Sequence, residues 1–196
     1  MKKIFAILAL ATTASAFAGG GVQFEVERER GTASPNTMTN TVKVAPYYKF
    51  DNGVKADIQF GGSRDDGQVS GSNNAIENTV EARVQKMYEV APNLSLGARV
   101  GLGEVLNGVN SSSKTVDFGY YTVEPKAEYA ITSQLSALAS YRFRNGFNTA
   151  DNYLTRTAKV GAGYAVTKND LVEVKYFQKR GDQSTNGVEI GYTRGF

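Results

Sequence analysis

Charged side chains in this chain recur at every second position, and that spacing limits the chemistry open to them. Glu25, Glu27 and Glu29 alternate with Phe24, Val26 and Arg28. Lys43 and Lys49, then Lys55 and Asp57, alternate with Val42, Tyr48, Ala56 and Ile58. The pattern continues through Glu77, Glu81 and Arg83, Arg99, then Glu124, Lys126 and Glu128. Arg142 and Arg144, Lys159, Glu173 and Lys175, and finally Glu189 complete it. A period of two puts all of these on one face of extended strands, with apolar residues on the other. Carboxylates and cations balance on that face and alternate from strand to strand. The first segment is acidic and the second basic, the fourth acidic and the fifth basic, the sixth acidic and the seventh basic. Adjacent strands of this kind form cross-strand ion pairs.

Catalysis is a poor match for the same set. The chain has no His and no Cys, which removes Ser-His-Asp and Asp-His mechanisms, thiol chemistry and His or Cys metal sites. Asp65-Asp66 is the remaining carboxylate pair and reads as a solvated loop. Asp65, Asp66 and Asp182 lack a calcium-loop motif. Gly101-Leu102-Gly103 lacks the strand-turn-helix context of a nucleotide loop. We therefore expect no enzyme activity, no cofactor and no metal. Gly97, Gly101, Gly103, Gly161, Gly163 and Gly191 share the charged face and are expected to make room for long neighbours. Basic and acidic residues interleave, so nucleic acid is not an expected partner.

The elements that position these groups are strands. Ten alternating segments are legible, with apolar faces such as Leu94, Leu96, Ala98, Val100 and Leu102, or Val188, Ile190, Tyr192 and Phe196. Short turns at Asp51-Asn52-Gly53, Ala91-Pro92-Asn93, Thr132-Ser133-Gln134 and 167–170 alternate with longer polar connections at 31–41, 61–75, 104–115, 145–152 and 180–186. Asp-Asn-Gly is tight-hairpin chemistry, because Asn and Gly accept positive φ at low cost. Tyr and Phe gather near both strand ends, as expected where a lipid band meets water: Tyr47, Tyr48, Phe50, Tyr88, Tyr129 and Tyr164 on the turn side, and Phe60, Phe118, Tyr120, Tyr141, Phe143 and Phe177 on the other. The spacing predicts an all-β fold: a single antiparallel up-and-down transmembrane β-barrel of about ten strands, with eight or twelve as alternatives. A soluble β-sandwich would also alternate, but would not sort its turns by length. Pro46 and Pro125 lack an N–H for the ladder, so each predicts a bulge or a missing bond.

Residues 1–18 read as an export signal: Lys2 and Lys3, the apolar run Ile4–Ala14, and Ala16-Phe17-Ala18 before the cleavage point. The barrel would then be 19–196. Removing two lysines from 22 basic residues leaves 20 against 19 acidic, so the net charge implies no polyanionic partner.

The final segment carries a resemblance. Apolar residues at Val188, Ile190 and Tyr192 with a terminal Phe196 resemble the ends of bacterial outer-membrane barrel proteins, whose last strand addresses the insertion machinery. Arg194 departs from that pattern, where an apolar residue is usual. The resemblance implies an outer-membrane location with periplasmic termini, and contact with outer-membrane lipid and lipopolysaccharide. A narrower likeness rests on Tyr48-Lys49-Phe50 and Tyr141-Arg142-Phe143-Arg144, which are similar to stretches of the oligogalacturonate-specific porins. Their larger, arginine-rich barrels differ from ten strands with a mixed lining. The function expected is a small porin-like channel, weakly selective for small ions or polar solutes. The alternative is a closed scaffold displaying loops for adhesion or partner binding.

Overall fold

In a computed structural model, the described residues are 19–32, 38–65, 76–109, 115–148, 154–181 and 184–196. Among them there is no helix. The strands are β1 (Gly20–Gly31), β2 (Met38–Lys49), β3 (Lys55–Asp65), β4 (Ile76–Ala91), β5 (Leu94–Val109), β6 (Thr115–Ala130), β7 (Leu135–Gly146), β8 (Leu154–Ala165), β9 (Asp170–Gly181) and β10 (Thr185–Gly195). Each pairs antiparallel with its sequence neighbours, and β1 pairs with β10 to close the barrel. Closure leaves no edge strand, the one all-β solution with every backbone group satisfied in lipid.

Alternation places the faces as expected. Val26, Val100, Val160 and Ile190 are half exposed on the outside, while Glu25, Glu81, Arg83 and Glu189 are buried. The register also carries a stagger. Gly19 bonds Lys49, and the pairing runs from Lys49 through Lys55, Gln85, Arg99 and Glu124. From Arg142 it continues through Thr157, Lys179 and Thr185 to Gly31. The circuit thus climbs about twelve residues, roughly one per strand, which corresponds to strands tilted about 40°.

The missing ladder bonds expected at the prolines are present without bulges. Pro46 pairs with Val22 of β1, but the β2–β3 pairing skips from Val44↔Phe60 to Tyr47↔Asp57. Pro125 pairs with Ala98, and the β6–β7 pairing skips from Val123↔Phe143 to Lys126↔Ser140. The turns are tight, with Gly53 at φ 79° and Asn93 at φ 66°.

Two expectations need correction. Residues 104–115 are not a long loop, since β5 runs to Val109 and β6 starts at Thr115, with a register shift between Val105 and Gly108. The aromatic girdles are also thinner than composition implied. Tyr47, Tyr120 and Phe177 lie on the inner face by strict alternation with Tyr48, Tyr121 and Tyr176, and Phe118 pairs with buried Val105. Tyr121, Phe143 and Phe147 form the loop-side cluster instead, with centroids about 6 Å apart. Asp65 ends β3, while Asp66, 110–114 and Asp182 lie outside the described residues.

Candidate functional site

Strands β1 and β10 bring three buried carboxylates, those of Glu25, Glu27 and Glu189, within 4.8 Å of one another. Such crowding costs energy unless cations intervene, and three lysines do. Lys43 pairs with Glu27 and lies 3.9 Å from Glu25. Lys159 pairs with Glu189 and reaches Glu27 at 3.2 Å. Lys175 sits 3.1 Å from both Glu173 and Glu189. Amides complete Glu25: Gln23 donates at 2.8 Å and Gln59 at 3.1 Å.

The opposite wall has its own centre. Glu81 accepts from Arg142, Thr122 and, at 3.4 Å, the Tyr120 hydroxyl. Glu81 is on β4 and Arg142 on β7, so this pair spans two intervening strands. Lys159 on β8 likewise reaches Glu27 on β1. Only some of the pairs join adjacent strands, as Asp57–Arg83 and Arg99–Glu124 do (2.5 and 3.5 Å). Glycine explains the long reach. A Cβ on Gly101 would stand 2.4 Å from Glu81 Oε1 and 2.7 Å from Thr122 Oγ1. Gly103 similarly underlies the Tyr120 ring. At Gly97 and Gly161 the close neighbour is instead a backbone carbonyl, 2.1 Å from the position of a Cβ. Those two glycines serve strand approach more than side-chain room. Gly101→Ala should displace Glu81 and lower stability by about 1–3 kcal/mol, read by denaturant unfolding in micelles; an unchanged midpoint would refute that packing.

On the turn side, Gln85 Oε1 accepts from both Arg99 Nε (3.1 Å) and Lys126 Nζ (3.0 Å). Lys55 donates to Gln23 at 3.4 Å and lies 4.2 Å over the Tyr47 ring. Asp57 Oδ2 and Arg83 Nη2 are buried without a hydrogen-bond partner among the described residues. Lys49 and Glu128 are exposed at the turn-side rim. On the loop side, Lys179 pairs with Glu29 at 2.7 Å, and Arg144 lies 3.8 Å from Glu77 and 3.9 Å over Tyr120. Lys179 and Gln85 escaped the sequence reading, while alternation puts Gln23, Gln59 and Thr122 on the polar face but not among its charges. The signal for Lys179 and Gln85 was the same alternation, continued past the charged positions and past the expected end of β9.

These groups enclose two polar cavities. The turn-side one is about 70 Å³ and includes Arg83, Arg99, Lys126 and Glu173 in its wall. The loop-side one is about 240 Å³ and includes Glu29, Glu77, Arg144 and Lys179. Lys43, Arg142 and Lys159 belong to both walls. One layer of ion-paired side chains therefore separates the two ends. Both volumes fall below the ~300–1,000 Å³ of pockets that hold drug-sized molecules.

The terminal strand is clamped at the turn side. Val188, Ile190 and Tyr192 face outward, and the Phe196 N–H bonds Gly20 O at 2.9 Å. Arg194 donates to both oxygens of Asp170 (2.8 and 3.1 Å), and the Tyr192 hydroxyl donates to the first at 2.6 Å. The departure at Arg194 thus ties β10 to the turn before β9.

The family described as outer membrane protein beta-barrel domain matches residues 4–165. No curated protein matches the chain in sequence. Among solved structures, the beta domain of the Bordetella autotransporter BrkA is similar at a TM-score of 0.58 and 12% identity, over 91% of this chain and all of that one. The NanC porin is similar at 0.53 and 12%, over 89% and 100%. The KdgM porin, in complex with disordered oligogalacturonate, is similar at 0.50 and 14%, over 90% and 99%. At such identities the likeness is one of fold.

Proposed function

We propose, from the premise that this chain belongs to the outer membrane protein beta-barrel family, that it is a narrow porin-like channel for water and small ions. Its constriction would be the belt of Lys43, Arg142 and Lys159 with their carboxylates. The observation that carries this reading is the sharing of those three residues by both cavities, which leaves a single side-chain layer to cross. The belt mixes both signs, so selectivity would be weak. In planar bilayers the refolded protein should give discrete, salt-dependent steps far smaller than those of a sixteen-stranded porin. A tenfold KCl gradient should give a reversal potential near zero. Silence from a correctly folded barrel would sink the channel and favour a closed scaffold presenting its loops, a reading supported by the pairing across the lumen.

In the same reading, residues 1–18 are a cleaved export signal and the short turns face the periplasm. Val188, Ile190, Tyr192 and Phe196 then address the insertion machinery.

A further inference from the structure

The outer face carries a pattern that the lumen does not use. Continued past Val26, the outward alternation of β1 reaches Arg28 and Arg30; past Ala158 and Tyr176, that of β8 and β9 reaches Arg156 and Arg180. All four are exposed. Arg156 and Arg180 are direct register partners, a like-charge pairing that destabilises a sheet unless an anion lies between. Among the described residues, no acidic side chain faces outward from β8, β9, β10 or β1 at this end.

Stagger decides their relative height. The register climbs about one residue per strand, so three strands separate Arg156 from Arg28 by roughly the offset that brings them level. Arg180 and Arg30 then lie slightly above. Just below them the outer face is apolar, with Val26, Val160, Tyr176 and Val188 half exposed. The arginines therefore form an arc where hydrocarbon ends and headgroups begin. Exposed Arg64 continues the arc onto β3, level with Arg28 through Asn40 in the register, and exposed Glu104 and Phe147 mark this end of the opposite wall.

We propose that this arc binds the phosphate groups of lipopolysaccharide in the outer leaflet. Guanidinium forks take phosphate oxygens in pairs, and near the low-dielectric band such contacts strengthen. A phosphate seated between Arg156 and Arg180 would turn their repulsion into a shared attraction. The inference rests on the orientation proposed above, with the turns periplasmic, but not on whether the lumen conducts.

The test is to titrate the refolded full barrel in micelles with lipopolysaccharide, with its dephosphorylated form and with phosphatidylglycerol, reading retained lipid by native mass spectrometry. The native barrel should retain lipopolysaccharide at least ~10-fold better than either control. Combined Arg28→Gln, Arg156→Gln and Arg180→Gln should erase that preference, while Glu104→Gln should keep it. Equal retention by the triple variant, or of phosphatidylglycerol by the native barrel, overturns the proposal. Should the triple variant fail to fold, Arg156→Gln alone should weaken retention about threefold, and no change there overturns it equally.

Discussion

Glu81→Ala should cost the barrel about 3–5 kcal/mol, the largest stability effect expected of any single substitution in the interior. Glu81 is 2% exposed and takes Arg142, Thr122 and Tyr120. Its removal leaves the Arg142 guanidinium in a cramped space without its carboxylate. The loss arises less from the value of the pair than from the charge left behind. Glu81→Leu combined with Arg142→Leu should therefore recover most of the loss, because an apolar pair of similar volume removes both desolvation costs. Guanidinium unfolding followed by tryptophan-free tyrosine fluorescence or by heat-modifiable migration reads both. A single variant within about 1 kcal/mol of the native barrel would mean that water reaches Arg142 freely.

Lys43→Ala with Lys159→Ala should have the largest effect on conduction. The two ammonium groups lie among Glu25, Glu27 and Glu189 and belong to the walls of both cavities. Without them the constriction loses two long side chains and keeps three carboxylates that water must now solvate. Conductance should rise at least about twofold, and the pore should turn cation-selective by field focusing. Across a tenfold KCl gradient the reversal potential should move toward the ~59 mV limit of a one-charge carrier. Lys49→Ala, at the exposed rim, should change neither. Unchanged conductance and reversal potential in the double variant would place the constriction elsewhere.

The limit of legibility follows from how each pair is made. Lys43 and Glu25 sit opposite in the β1–β2 register, and alternation with hairpin order was enough to foresee them facing each other. Arg142 with Glu81 and Lys159 with Glu27 were not foreseeable in that way, because each crosses strands whose own inner positions had to be short or turned aside. Gly101 and Gly103 were seen as spacers, but which side chain passes over them depends on barrel radius and stagger. Tyr120 and Phe177 show the opposite case: their inward direction was legible from Tyr121 and Tyr176, yet aromatic composition near strand ends pointed to the lipid surface.

By itself the amino-acid sequence pointed to about ten strands and determined the division into lipid-facing and enclosed faces, the short turn sites and the absence of His or Cys chemistry. Each of these is local, set by a period of two and by backbone preferences within a few residues. Only the tertiary structure decided which charges meet across the lumen, how little space they leave, and that outward arginines of β1, β8 and β9 stand at nearly one height. Those depend on closure, tilt and stagger, which set distances between residues far apart in the chain and leave no trace in its periodicity.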